Sequence, residues 1–186
     1  PSFGDDGRLS VWSAGCSTGE EAYSIAILLR EKIDALEQRC RVQVFATDID
    51  ARAIEAARGG IYPASITRDI PTERLERYFT RVDEGHYRVN KAIRDLLIFS
   101  EQDLAKDPPF SKIDLISCRN LLIYLGPLLQ RRVMPAFHYA LNPDGYLLLG
   151  TSEAIGTFGE LFKVRDKKIK LYVKDCLLYT SDAADD

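Results

Sequence analysis

Apolar residues along the chain come in two textures. Short continuous runs, "LSVWSA", "CRVQVFATD", "DLLIFSEQDL", "KIDLISCRN" and "YLLLGTS", have the length and apolar continuity of buried strands. Between them lie stretches with helical spacing. "GEEAYSIAILLREKIDALEQ" places Ala22, Ile25, Ala26, Leu29, Ile33 and Leu36 on one face, and "DARAIEAARGG" is a short helix with Asp50 as N-cap and Gly59-Gly60 as its stop. "GPLLQRRVMPAFHYAL" is a third helix, with a kink or break expected at Pro135. "NPDG" reads as a turn before "YLLLGTS", and "ELFKVRDKKIKLYVK" as a closing antiparallel hairpin.

The middle of the chain is built differently. "PTERLERYF" is a short helix started by Pro71, and "YFTRVDEGHYRVN" reads as two short strands around an Asp-Glu-Gly turn. Ile61 to Ile93 is therefore expected to be a small antiparallel excursion. Strand and helix otherwise alternate, which predicts a doubly wound α/β sheet covered on both faces. Ligands in such sheets bind at the carboxyl ends of the strands, so the residues just after each strand become the candidates.

A length of 186 residues suits one domain. The net charge of −3 gives no general attraction to nucleic acid or anionic lipid. Apolar runs fall well short of the roughly 20 residues of a membrane span, and a soluble cytoplasmic protein is expected. The four cysteines, Cys16, Cys40, Cys118 and Cys176, form no CxxC pair and read as reduced thiols rather than a disulfide frame. With only His86 and His138 available, no metal site is expected, although carboxylates keep a hard-cation site formally open. His86 reads as a hairpin surface residue and His138 as a helix-face residue without a chemical duty. The final segment, Cys176 to Asp186, carries no periodicity and reads as a non-native tail.

Three strand ends carry polar signals. After the first strand, "GCSTGEE" joins a glycine-bearing turn to a helix start. Its G-x-x-x-G spacing is neither the dinucleotide fingerprint nor a P-loop. Glu20 and Glu21 oppose a phosphate there, whereas a cationic ligand reverses the argument. The plain alternative is two helix-start glutamates with Thr18 as cap. At the second strand end, Asp48 in "VFATDID" suits a ribose diol, Asp50 being better placed to cap the helix. Farther on, "FSEQDL" ends with Asp103 and Leu104, as if to flank a flat base, and "LISCRNLLIY" ends with Cys118, Arg119 and Asn120 followed by Tyr124. A surface ion pair for Arg119 and a helix-face core position for Tyr124 stand beside the functional reading. The first two places together fit a phosphate-free nucleoside with a positive charge, as in S-adenosylmethionine.

The blocks "VWSAGCSTGEEAYSIAILL", "VFATDID", "ARGGIYP", "RYF", "DLISCRNLLIYL" and "LNPDGYLLLGTSE" resemble, in order, those of CheR-type chemoreceptor glutamate methyltransferases, up to about Lys174. The C-terminal stretch is most similar to versions fused to a CheB-type methylesterase. The resemblance implies an S-adenosylmethionine-binding domain over 1–175, with an inserted β-subdomain at 61–93. It also implies methyl esterification of glutamates on the cytoplasmic domain of a methyl-accepting chemoreceptor, leaving S-adenosylhomocysteine.

By the resemblance, Gly15 and Glu21 lie beside the methionine end, Asp48 holds the ribose, and Asp103 and Leu104 flank the adenine. Cys118, Arg119 and Asn120 line the cofactor pocket, Arg119 orients the incoming carboxylate, and Tyr124 stands near the transferred methyl. A receptor tail peptide would meet the inserted β-subdomain. The family's N-terminal helical domain and N-x-T-x-F-F-R segment are not in this chain, so the resemblance does not extend to methyl transfer by this stretch alone. Two other readings remain: a cofactor-binding sensor or scaffold without catalysis, and a methyltransferase with another substrate. A nicotinamide dehydrogenase is disfavoured by the acidic helix start.

Overall fold

The computed structural model describes residues 7–176, so the expected non-native tail lies, Cys176 apart, outside the described residues. The chain is mixed α/β, with a parallel-dominated sheet and a small antiparallel sheet. It forms two compact units, residues 7–9 with 16–101 and residues 10–15 with 102–176. The first strand, β1 (Arg8–Ala14), runs from the first into the second.

In the first unit, helix α1 (Glu20–Ala35) leads to strand β2 (Arg41–Asp48) and helix α2 (Ala51–Gly59). Glu20 and Glu21 in the first turn of α1 and Lys32 in the last complement its dipole. Its buried face is Ala22, Tyr23, Ala26, Ile27 and Ile33. The expected stripe is thus rotated: Ile25 and Leu29 are half-buried, and Leu36 is exposed. Tyr23 turns it, because its hydroxyl donates to the Ala57 carbonyl at 2.7 Å while its ring meets Phe99.

Helix α2 is bounded as its residues dictate. Asp50 accepts from the N–H groups of Arg52 and Ala53, and Gly60 closes the helix at φ 63°. Strand β3 (Ile61–Pro63), a one-turn 3-10 segment (Ala64–Arg68) and helix α3 (Thr72–Tyr78) follow. Strands β4 (Phe79–Asp83) and β5 (His86–Val89) then pair about the Asp-Glu-Gly turn, giving an antiparallel sheet in the order β3-β5-β4. A four-residue helix, α4 (Lys91–Arg94), returns the chain to β6 (Leu97–Glu101), which runs parallel to β2 with Asp48 opposite Glu101.

In the second unit β1 pairs in parallel with β7 (Ile113–Cys118), and β7 with β8 (Leu141–Leu149). The connecting helix α5 (Pro127–Ala140) runs through Pro135 without a break. Strand β10 (Leu171–Lys174) lies antiparallel between β8 and β9 (Phe162–Asp166), so the charged end of the chain is the expected hairpin. The core centres on Trp12, which meets Phe110 and Phe137 edge-on at 5.0 and 5.3 Å.

"NPDG" departs from the expected simple turn. It lies inside β8 as a wide irregularity, where Ile113 to Leu115 faces Leu141 to Tyr146. Asp144 at φ 61° takes up the extra chain.

Candidate functional site

The loop after β1 bends through three left-handed positions, Gly15 (φ 70°), Ser17 (φ 49°) and Gly19 (φ 93°). The left-handed backbone favours a glycine at both positions, and at Gly19 packing demands one as well. A Cβ on Gly15 would stand 2.9 Å from Leu121 Cδ2, and one on Gly19 would stand 2.9 Å from Ala57 Cβ. Gly19, not Thr18, is the N-cap of α1. Thr18 instead donates its hydroxyl to the Glu20 carboxylate at 2.6–2.7 Å, which keeps that negative charge beside the loop. Glu21 is half-buried in the first turn of the same helix.

Asp48 ends β2 and reaches back to this loop. Its Oδ2 accepts the Ser17 N–H at 2.8 Å and its Oδ1 the Asp50 N–H at 2.9 Å. The carboxylate expected to be free for a ligand therefore also shapes the loop. Each oxygen still has a lone pair available, since an ionised carboxylate offers about four acceptor sites. Cys16 N–H donates to the Thr47 carbonyl at 2.9 Å, fastening the loop to β2 a second time. Burial first, and then the Asp48 and Glu20 carboxylates, push the Cys16 thiol up to about 12. At neutral pH it is a protonated thiol and not a nucleophile.

After β6, Asp103 accepts the Ala105 N–H at 2.9 Å on Oδ1, and its own N–H donates to Asp107 at 2.7 Å. Asp103 thus rigidifies a tight turn that also carries the half-buried Leu104. The preceding residue was passed over in the sequence. Gln102 Nε2 donates to the Pro108 carbonyl, while its Oε1 is buried with no partner among the described residues. An acceptor in that state calls for a donor from a ligand or water.

Cys118 ends β7 fully buried, opposite Leu149. Arg119 and Asn120 leave the strand exposed, with Asn120 at φ 59°. A one-turn segment, Leu122–Tyr124, follows, and leaves the Tyr124 side chain 79 % exposed. Beneath it lies Glu153, a buried carboxylate that no spacing rule singled out, although it stands in the quoted "GTSE". An acidic residue just past a strand-ending glycine was the available signal.

The structure therefore groups Glu21 and Asp48 around the Cys16–Gly19 loop in the first unit. In the second it groups Cys118, Arg119, Asn120 and Tyr124 in one segment, with Leu121 packed on Gly15. A cleft of about 290 Å³ in the first unit, walled by Tyr23, Ile27, Tyr62, Ile66 and Phe79, includes none of the expected site residues. His86 is exposed and pairs with Asp83, while His138 is buried and donates Nε2–H to the Asp175 carbonyl. Among the described residues no helix is long and apolar enough to cross a membrane, and no cluster of three His, Cys, Asp or Glu groups could hold a metal.

This mixed α/β fold, with its parallel-dominated sheet, is the fold of S-adenosylmethionine-dependent methyltransferases among solved structures. One member, the TehB-like methyltransferase of Corynebacterium glutamicum, superposes with a TM-score of 0.53 over 90% of this chain and 80% of its own, at 16% identity. Within that class, the chain belongs to the CheR methyltransferase family, whose SAM-binding-domain model matches residues 3–171.

It is 35% identical over 160 residues to chemotaxis protein methyltransferase 2 of Vibrio cholerae, covering 84% of this chain and 55% of that protein. It is 40% identical over 164 residues to an uncharacterized 104.1 kDa protein of Rhodobacter capsulatus, covering 88% of this chain and 17% of that one. The chain thus spans from about a sixth to just over half the length of these relatives.

Proposed function

We propose that this chain binds S-adenosylmethionine and is the cofactor-holding part of a cytoplasmic protein-glutamate O-methyltransferase. Its substrates are carboxylates on the cytoplasmic domain of a methyl-accepting chemoreceptor. The observation that carries this is the acidic loop after β1, where the Asp48 carboxylate from the end of β2 and the Glu20 carboxylate at the start of α1 both bond the loop. Such a loop repels a pyrophosphate and suits a nucleoside whose charge is positive. The unpartnered Oε1 of Gln102 adds an acceptor for an amino group.

The bound sulfonium would supply an electrophilic methyl group. Asp48, with a lone pair left on each oxygen, accepts from the ribose hydroxyls. Gly15 and Glu21 meet the methionine end, Asp103 and Leu104 flank the adenine, and Cys118 and Asn120 line the pocket wall. Arg119 orients the incoming carboxylate with its fixed fork of donors, and Tyr124 shapes the space beside the methyl. A glutamate is ionised near neutral pH and already nucleophilic, so no general base is required. Catalysis then rests on alignment and exclusion of water. The exposed residues of β4, at the edge of the small sheet, suit a receptor tail peptide added as a further strand.

Calorimetric titration with S-adenosylhomocysteine tests the reading. The chain is expected to bind, and Asp48→Ala to weaken binding by about 1.5–3 kcal/mol, the range for a hydrogen bond to a charged group. Binding of NADH with no binding of S-adenosylhomocysteine would overturn it.

A further inference from the structure

Two loops of the second unit, one after β7 and one after β8, are joined by a single side chain. Glu153 is 3 % exposed. Its Oε2 accepts the N–H of Gly150 at 2.8 Å and of Asn120 at 3.0 Å, and its Oε1 accepts from Ile123 at 3.4 Å. These donors lie where the chain leaves the sheet and has lost its ladder partners, and a buried carboxylate persists only when such donors surround it. Asn120 stands at φ 59°, in the left-handed region that Asn adopts more readily than other residues with a Cβ. The bond to Glu153 holds the Asn120 N–H in that conformation.

Gly150 completes the arrangement. A Cβ there would stand 2.8 Å from Glu153 Oε2, 2.9 Å from Asn120 Oδ1 and 3.0 Å from Asn120 N. A side chain at 150 would crowd both the carboxylate and the Asn120 N–H that it accepts.

We propose that Glu153 is the positioning residue that fixes the Arg119–Tyr124 backbone, acting through the N–H groups of Asn120 and Ile123. This rests on the reading that Arg119 and Tyr124 face cofactor and substrate. Arg119 directly precedes Asn120 and Tyr124 directly follows Ile123, so the carboxylate holds one neighbour of each. A carboxamide at 153 keeps one oxygen for the Asn120 and Gly150 donors but turns an N–H₂ toward Ile123. Alanine removes all three bonds.

The ¹⁵N-labelled chain, Glu153→Gln and Glu153→Ala are compared by amide spectra, thermal melting and titration with S-adenosylhomocysteine. Both variants are expected to fold. Affinity falls about tenfold or more for Ala and about threefold for Gln, in line with loss of several bonds or one. The amide signals of Ile123 and Tyr124 move in both, and those of Asn120 and Gly150 mainly in Ala. A carboxylate of merely structural duty would lower the melting temperature of both variants and leave the affinity of the folded protein unchanged.

A folded Glu153→Ala protein with unmoved Ile123 and Tyr124 signals and wild-type affinity overturns the proposal. If Glu153→Ala does not fold, Glu153→Gln decides alone, and unchanged signals with unchanged affinity overturn the proposal equally. A wild-type chain that fails to bind S-adenosylhomocysteine sinks the cofactor reading instead, and the amide signals then judge the clamp by themselves.

Discussion

Asp48 and Ser17 are 31 positions apart in sequence, yet the Asp48 carboxylate accepts the Ser17 N–H at 2.8 Å. The other carboxylate oxygen holds the Asp50 N–H, so one side chain sets both the glycine-bearing loop and the entry to α2. Recognition and local folding are therefore coupled at this residue, and substitutions should separate them.

Asp48→Ala leaves two backbone donors to find water and should cost about 1 kcal/mol, a fall in melting temperature of about 2–4 °C for a chain of this size. Asp48→Asn keeps one carbonyl acceptor and should lose about half as much. Identical melting of all three proteins in a calorimeter would show that water substitutes fully for the carboxylate.

Gly19→Ala should be the more damaging change. The residue sits at φ 93°, and the added methyl would meet Ala57 Cβ at 2.9 Å and Phe99 Cε1 at 3.2 Å. Left-handed backbone and overpacking together predict a loss of about 2 kcal/mol or more. Urea unfolding should show this as a lower midpoint at constant slope. A midpoint equal to wild type would mean that the loop relaxes freely.

The Cys16 thiol gives a pH signature. Burial raises it from 9.0 to about 12 in the folded chain, so the unfolded state ionises first as pH rises. The stability linked to this group is fully present below pH 9 and is lost between about 9 and 12. Cys16→Ala should therefore lose stability less steeply than wild type over that window, measured as a difference because Tyr23 is also raised to about 12. In native protein at pH 8, Cys40 and Cys176 should react with a thiol reagent well before Cys16. Rapid modification of Cys16 would contradict its burial.

For catalysis the prediction concerns the complete protein that carries this domain. Incubated with a receptor cytoplasmic fragment and methyl-labelled cofactor, it should give label that alkali removes, as a carboxyl methyl ester requires. Tyr124→Ala should lower the rate about tenfold or more while S-adenosylhomocysteine affinity stays within about threefold, since shaping the transition state acts on rate rather than ground-state binding. Alkali-stable label would point to another acceptor, and equal losses in rate and affinity would assign Tyr124 to the cofactor.

The strands were legible because a run such as Ile113–Cys118 has only one way to bury itself. The bounds of α2 were legible because Asp50 and Gly60 act on their own helix. The buried face of α1 was less so. Its stripe follows where Tyr23 finds a partner, Ala57, which lies 34 positions away. A kink or break was expected at Pro135, and of the two the break does not occur, since α5 continues through it. A missing N–H and a bulky ring disfavour a continuous helix without forbidding one when packing holds both sides, as at Phe137 and Met134.

By itself the sequence determined whatever depends on neighbours a few positions apart: strand lengths, helix caps, and the acidic start of α1 that argued for a cationic nucleoside. Only tertiary structure decided that Glu153 gathers the N–H groups of Gly150, Asn120 and Ile123, and that Ala57 and Phe99 leave no room for a side chain at Gly19. A hydrogen bond or a steric contact has a range of a few ångströms, and no local pattern records which distant residue will come within it once the chain has folded.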